Sequence, residues 1–330
     1  MTGVETLKID KNNFLKIIIF ALFVFPFILQ ADQPELFGEA NLSIASLDDD
    51  NGKSTTISSH SSRIGVKGSI STEKSLEIIY RFVWQVDLTD EAKASNNNLK
   101  SREQYIGLKD TWGEVRAGRH DTPYKKAGKK NVEFFSDTLA DWNNIITKSH
   151  DIRADDSISY YKKIGQTKMS AMYAAGKDSP EPGEENLEEI FSAGIDTKFS
   201  NLAFAIAYQD KDTVGTATKV VLGYKVSNTK VGLAVESIDN EDNTKATNAI
   251  VSAKHQLSET NSIRFVYGQA EAITPITEDA TMTALAFDHK LHDKVVVYAL
   301  LAKGNDNGLK VDADLDGEGS LFALGIAAKF

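Results

Sequence analysis

Arg63, Arg81 and Arg153 each stand out of phase with the apolar residues nearest to them. Arg63 is followed by Ile64 and Val66, Arg81 sits between Tyr80 and Phe82, and Arg153 lies an odd number of positions before Ile158 and Tyr160. Along an extended chain successive side chains point to opposite faces, so all three guanidinium groups project from the polar side of their segments. Such groups pair with carboxylates, and placed along a passage they bias ions by sign. For Arg81 a structural ion pair is the first expectation.

Other residue types capable of chemistry lack a setting for it. His60 beside Ser61, and His150 near Ser149 and Asp151, have the types of a hydrolytic triad. No nucleophile elbow surrounds them, and a triad needs nucleophile, base and orienter in mutual reach, so a hydrolase is the disfavoured alternative and no enzyme activity is expected. Asp312-Ala-Asp-Leu-Asp-Gly317 copies the start of a calcium loop, yet the position that should hold a bidentate glutamate is Ala323. It reads as a solvated acidic loop tip, and no metal or cofactor is expected. The chain has no cysteine, which removes disulfides and thiol chemistry together. Its formal net charge of −10 argues against nucleic-acid binding.

The elements that carry these residues are strands. From residue 35 onward, segments alternating apolar and polar recur about sixteen times, separated by connections that are by turns short and long. Ser320 to Phe330 shows the pattern well, with Phe322, Leu324, Ile326, Ala328 and Phe330 on one face. Strands are expected at 35–48, 62–70, 75–87, 102–109, 113–120, 156–163, 167–176, 189–200, 202–210, 218–227, 229–238, 247–257, 261–271, 280–291, 294–304 and 319–330. An apolar face repeated from end to end, beside a mean hydropathy of −0.29, fits an all-β transmembrane antiparallel β-barrel with lipid outside and water inside. The sheet must close, because an open edge cannot hydrogen-bond in lipid.

The N-terminus supplies the compartment. Lys8, Lys11 and Lys16 precede an apolar run from Ile17 to Leu29 that ends in Gln30-Ala31-Asp32. This is the layout of a secretory signal peptide over 1–31, followed by a single barrel domain over 32–330. Removing 1–31 takes away three lysines and two acids and leaves a net charge of −11. The short links read as periplasmic turns and the long ones as extracellular loops. Loop 121–155 is too long for a simple connection, and its Phe134, Phe135, Leu139, Trp142, Ile145 and Ile146 require cover. The barrel interior offers it.

Several runs carry a family resemblance. Tyr105 to Tyr124, Glu133-Phe-Phe-Ser-Asp137, Arg153 to Tyr160, Ser62-Arg-Ile-Gly-Val-Lys-Gly68 and the terminal Phe330 resemble the general diffusion porins of Gram-negative bacteria. The resemblance implies an outer-membrane homotrimer, embedded in lipid and lipopolysaccharide, whose third loop folds into the barrel and narrows a water-filled channel for passive diffusion of ions and small hydrophilic solutes. Motif by motif it places Arg63, Arg102 and Arg153 on a basic wall, with Arg81 beside them by phase. Glu133, Asp137 and Asp141 become the acidic loop facing that wall, and Arg119 a subunit latch toward Asp90 or Glu91 of a neighbour. Two departures stand out: Val132 replaces the proline of the loop motif, and Glu39 replaces a lysine common on the first strand. The net charge and acidic loops lean toward cations, against the arginine wall. A substrate-specific channel is the rival reading, which an aromatic track along the lumen would favour.

Overall fold

Alternation of apolar and polar residues becomes alternation of outward and inward side chains in the computed structural model, which describes residues 30–31, 33–49, 52–72, 75–89, 98–146, 150–176, 189–212, 214–273, 278–305, 308–309 and 318–330. Residues 1–29, which hold most of the expected signal peptide, and the calcium-like run 312–317 lie outside the described residues. Strands occupy β1 (Glu35–Asp49), β2 (Gly52–Ser59 continued by Arg63–Ser71), β3 (Glu77–Val86), β4 (Leu99–Asp110), β5 (Gly113–Asp121), β6 (Arg153–Ala154 continued by Ser157–Ile164), β7 (Thr167–Ala174) and β8 (Ile190–Phe199). They continue as β9 (Leu202–Lys211), β10 (Gly215–Val226), β11 (Thr229–Asn240), β12 (Lys245–Gln256), β13 (Asn261–Ala270), β14 (Ala280–His292), β15 (Val295–Asn305) and β16 (Glu318–Lys329). Each pairs antiparallel with its chain neighbours, and β16 pairs with β1 from Ser320 opposite Asp48 to Lys329 opposite Glu39. This is a closed antiparallel barrel of sixteen strands.

The outward face is apolar around the circumference. On β13 Ile263, Phe265 and Tyr267 are exposed while Ser262, Arg264 and Val266 are buried; on β11 Val231, Leu233 and Val235 face out while Gly232, Ala234 and Glu236 face in. So large an apolar surface belongs in lipid rather than water. Among the described residues no helix is long and apolar enough to cross a membrane.

The expected and observed strands agree closely, with one extension. Residues 48–61 read as a loop, whereas Gly52–Ser59 folds back on β1, with Ile57 opposite Ile44 and Thr55 opposite Ser46. Ser61, at φ 53°, then interrupts the strand before Arg63. A Ser/Thr-rich run with one central isoleucine has few apolar residues to reveal its alternation, yet its backbone pairs as well as any other.

The closing ladder ends in one close approach. The terminal Phe330 exchanges backbone hydrogen bonds with Gly38, at 3.0 and 3.1 Å, and its ring lies over that glycine, where a Cβ would sit 2.3 Å from the ring. Gly38→Val should therefore cost about 1–3 kcal/mol through overpacking at the seam. The expected result is a lower thermal midpoint by circular dichroism in detergent; a wild-type midpoint would show that the seam adapts freely.

Candidate functional site

After β5 the chain turns inward, and residues 122–146 and 150–152 pack inside the barrel. Thr122 caps a short helix, α1 (Pro123–Lys126), by accepting from the Lys125 N–H, and Gly128, at φ 69°, redirects the chain into α2 (Lys129–Val132). Tyr124, Phe135, Leu139, Trp142, Ile145 and Ile146 are almost wholly buried. Their seat is the inner face of β9 to β14, which presents small residues: Ala205, Ala207, Ala217, Ala234, Ala284 and Ala286. Glycine is required at two contacts, since a Cβ on Gly232 would lie 2.6 Å from Val132 Cα and one on Gly268 would lie 2.9 Å from Ile145.

Polar anchors hold the same seat. The Ser252 hydroxyl donates to the Val132 carbonyl, and Arg264 Nη1 donates to the Phe134 carbonyl at 2.7 Å while its Nη2 pairs with Asp288 at 2.6 Å. Tyr124 donates its hydroxyl to Glu236, which also accepts from Asn248 at 2.9 Å. Lys219 is fully buried and, among the described residues, Nζ has no hydrogen-bond partner; it lies over the Tyr124 and Trp142 rings at 4.7 and 4.6 Å. Cation–π attraction and the adjacent Glu236, opposite Lys219 in the strand register, offset the burial of that charge.

Facing the other side of the segment is the arginine wall. Arg63 joins Glu39 at 2.5 Å to Asp137 at 2.9 Å, and so connects β2, β1 and the loop. Arg81 pairs with Glu103 at 2.5 Å, and Lys126 of α1 approaches Glu103 and Asp121 at 3.6 and 3.5 Å. Arg153 Nε lies 3.1 Å from Asp121 without hydrogen-bond alignment. Lys125 pairs with Asp151 at 3.0 Å. Arg102 donates to the Gln85 side chain at 2.7 Å and, among the described residues, meets no carboxylate. The register slips between Phe82 and Trp84, opposite Arg102 and Glu103. This bulge brings both neighbours into the lumen, which plain alternation forbids.

The three loop acids separate in their geometry. Asp137 alone reaches the wall. Glu133 turns from the arginines to Lys129, four residues back and 3.2 Å away, and Asp141 accepts from the backbone N–H groups of Asp137 and Asn143 at 2.8 and 2.9 Å. The expectation that all three face the wall is thus corrected for Glu133 and Asp141. A helical i,i+4 contact captures the first and a turn cap the second. Although burial alone would raise it, the Arg63 guanidinium holds Asp137 below the usual carboxylate range. Burial and then the Asp141 charge push Glu133 well above that range against the pull of Lys129, and burial raises Asp141 likewise.

Arg119 follows Val115 and Ala117 in the outward phase of β5, opposite Gln104. It contacts Asp155 of its own chain and the Arg153 carbonyl at 3.3 Å. Asp90 and Glu91 lie outside the described residues. Nothing in the sequence pattern singled out Glu103, Asp121 or Lys219, and Asp151 drew notice only beside His150 rather than as the partner of Lys125. Glu103 follows Arg102 and Asp121 lies two residues after Arg119, but only the bulge and the inward turn reveal their partners.

Glu133 generates a pH prediction. With its folded-state affinity for a proton raised above the unfolded one, folding takes up a proton, so its contribution to stability is greatest below the ordinary value of 4.5 and falls as pH rises above it. Glu133→Gln should raise stability at pH 7.5 by on the order of 1 kcal/mol and leave it unchanged at pH 4. Thermal melts in detergent at the two pH values check this. A variant less stable at pH 7.5 would mean that the Lys129 ion pair outweighs the burial.

A family model described as Gram-negative porin matches residues 19–309 of the chain. No curated relative matches the sequence. The fold is similar to that of the anion-selective porin from Comamonas acidovorans, with TM-score 0.75, 18% identity and coverage of 91% of this chain and 100% of that one. It is also similar to a trimer form of OmpT from Vibrio cholerae, with TM-score 0.67, 18% identity and coverage of 91% and 100%. Salmonella typhi OmpF matches with TM-score 0.70, 13% identity and coverage of 90% and 97%.

Proposed function

From the premise that this chain belongs to the Gram-negative porin family, and is an outer-membrane channel for passive diffusion rather than an enzyme, we propose that its solute path runs through the gap between the arginine wall and residues 122–152. Arg63, Arg81, Arg102 and Arg153 form the basic side of the constriction and Asp137 the acidic side, while Glu133 and Asp141 shape the loop from behind. The observation that carries this reading is Arg102, a half-buried inward cation held by Gln85 and, among the described residues, with no carboxylate beside it. Charges opposed across a narrow gap with low-dielectric walls bias ions by sign.

The sign follows from charge near the constriction. The net charge of −11 favours cations, but charge at the mouths is screened within about 8–10 Å. Inside, Arg63, Arg81 and Arg153 are each offset by a carboxylate, and Arg102 is not. Glu133 is taken up by Lys129 and Asp141 by backbone N–H groups, so neither offsets Arg102. The local excess is positive, and the channel prefers anions of small size. In planar bilayers under a salt gradient the reversal potential should have the anion-selective sign. Arg102→Ala should move it toward cations and Asp137→Asn further toward anions. If both variants keep the wild-type potential and conductance, the constriction lies elsewhere.

The functional unit in this reading is a homotrimer of chains exported by the segment 1–31 and seated in lipid and lipopolysaccharide. Support comes from the outward-phase Gln104 and Arg119 and the Arg119–Asp155 pair, polar groups that a lipid face would leave in hydrocarbon and a neighbouring subunit would cover. The solved trimer form of OmpT from Vibrio cholerae gives the assembly a precedent in this fold. Cross-linking in mild detergent should trap three copies, and Arg119→Leu should weaken the trimer; a purely monomeric wild type would refute it.

A further inference from the structure

Between the loop and the short-turn end of the barrel, the inner wall carries cations laid on aromatic rings. Lys67 and Arg81 lie over the Phe37 ring, at 5.2 and 4.5 Å from its centre. The Arg116 guanidinium lies against both Tyr105 and Tyr161, at 4.6 and 4.4 Å, and Lys168 covers Tyr161 at 5.0 Å. Strand register makes the series continuous. Lys67 stands opposite Arg81 and Arg81 opposite Tyr105; Gly107 stands opposite Arg116, where a Cβ would lie 3.3 Å from Arg116 Cγ.

Three of the four cations also have an acid: Lys67 meets Glu35 at 3.1 Å, Arg81 meets Glu103, and Arg116 meets Glu114. Glu35, Lys67, Arg81, Tyr105, Glu114 and Arg116 together line a recess of about 420 Å³, within the size range of small-molecule sites. Seated on rings, the two guanidinium groups have already lost most of their rotamer freedom, so a ligand that meets them forfeits little more. A simple anion entering the recess also meets Glu35 and Glu114, and a simple cation meets Arg81, Arg116 and Lys67. Only a solute that carries both signs finds a partner for each without repulsion.

We propose that this recess is a binding site for zwitterionic solutes of amino-acid size, reached after the constriction, with the carboxylate on the edges of Arg81 and Arg116 and the ammonium on Glu35 and Glu114. The site rests on the channel reading and adjoins the constriction, with which it shares Arg81. Its partly exposed groups make it a transit site.

The test is blockade of the open channel in planar bilayers by glutamine at neutral pH, with butyrate and butylammonium as single-charge controls. Glutamine should block at a concentration about tenfold below either control, and Glu114→Gln and Arg116→Gln should each raise that concentration about tenfold, the loss expected for one charge-assisted contact. Glu114→Gln should also turn butyrate into the better blocker. Should Arg116→Gln fail to assemble, Glu35→Gln at the rim of the recess, which removes the other ammonium partner, carries the same expectation. Glutamine blocking no better than the controls, or blocking all variants equally, would overturn the proposal. An absence of current in the unmodified protein would overturn the channel reading, and the site with it.

Discussion

The apolar face of residues 122–146 is buried against a wall of small residues, and this contact divides the barrel interior into two unlike halves. Fully buried Trp142, Tyr124, Phe135, Ile145 and Ile146 each contribute about 1.5–3 kcal/mol. Exposed ion pairs such as Lys245–Asp239 contribute about 0–1 kcal/mol. Packing therefore decides where the loop sits, and the charges arrange themselves around a loop already placed. Alanines and glycines on β9 to β14 exist to receive it: a larger residue at Gly232 or Gly268 would push the loop toward the arginines.

The charged half inherits its geometry from that seat. Because the loop is held from behind, Asp137 stands within reach of Arg63, and Asp121 at the loop's root gathers Arg153 and Lys126. The inner wall then carries ion pairs from the constriction down to the recess at Phe37, Tyr105 and Tyr161. Lipid outside imposes the opposite rule, an apolar surface without open edges, and the Gly38–Phe330 seam meets it by joining the last residue to the first strand.

Much of this was legible in the sequence because period-two alternation and short turns leave strong marks. The strand count, the inward phase of Arg63, Arg81 and Arg153, and the cover needed by Trp142 and Ile145 all follow from residue order. What escaped follows from irregularity. Arg102 enters the lumen through a bulge that no alternation rule reveals, Gly52–Ser59 pairs without an apolar stripe, and Glu133 answers to Lys129 one helical turn away instead of to the wall. The anchors Lys219 and Glu236 escaped as well, since an inward polar residue on a barrel strand ordinarily means contact with water.

The account turns on which half of the lumen conducts, and the absence of native cysteine makes that measurable. Single cysteines replacing Arg102, on the open side, or Ala217 or Ala234, behind the loop, would be exposed to a charged thiol-reactive reagent while single-channel current is recorded. The account predicts a stepwise fall in current for Arg102→Cys and no reaction for Ala217→Cys and Ala234→Cys. Rapid modification behind the loop with Arg102→Cys untouched would contradict it.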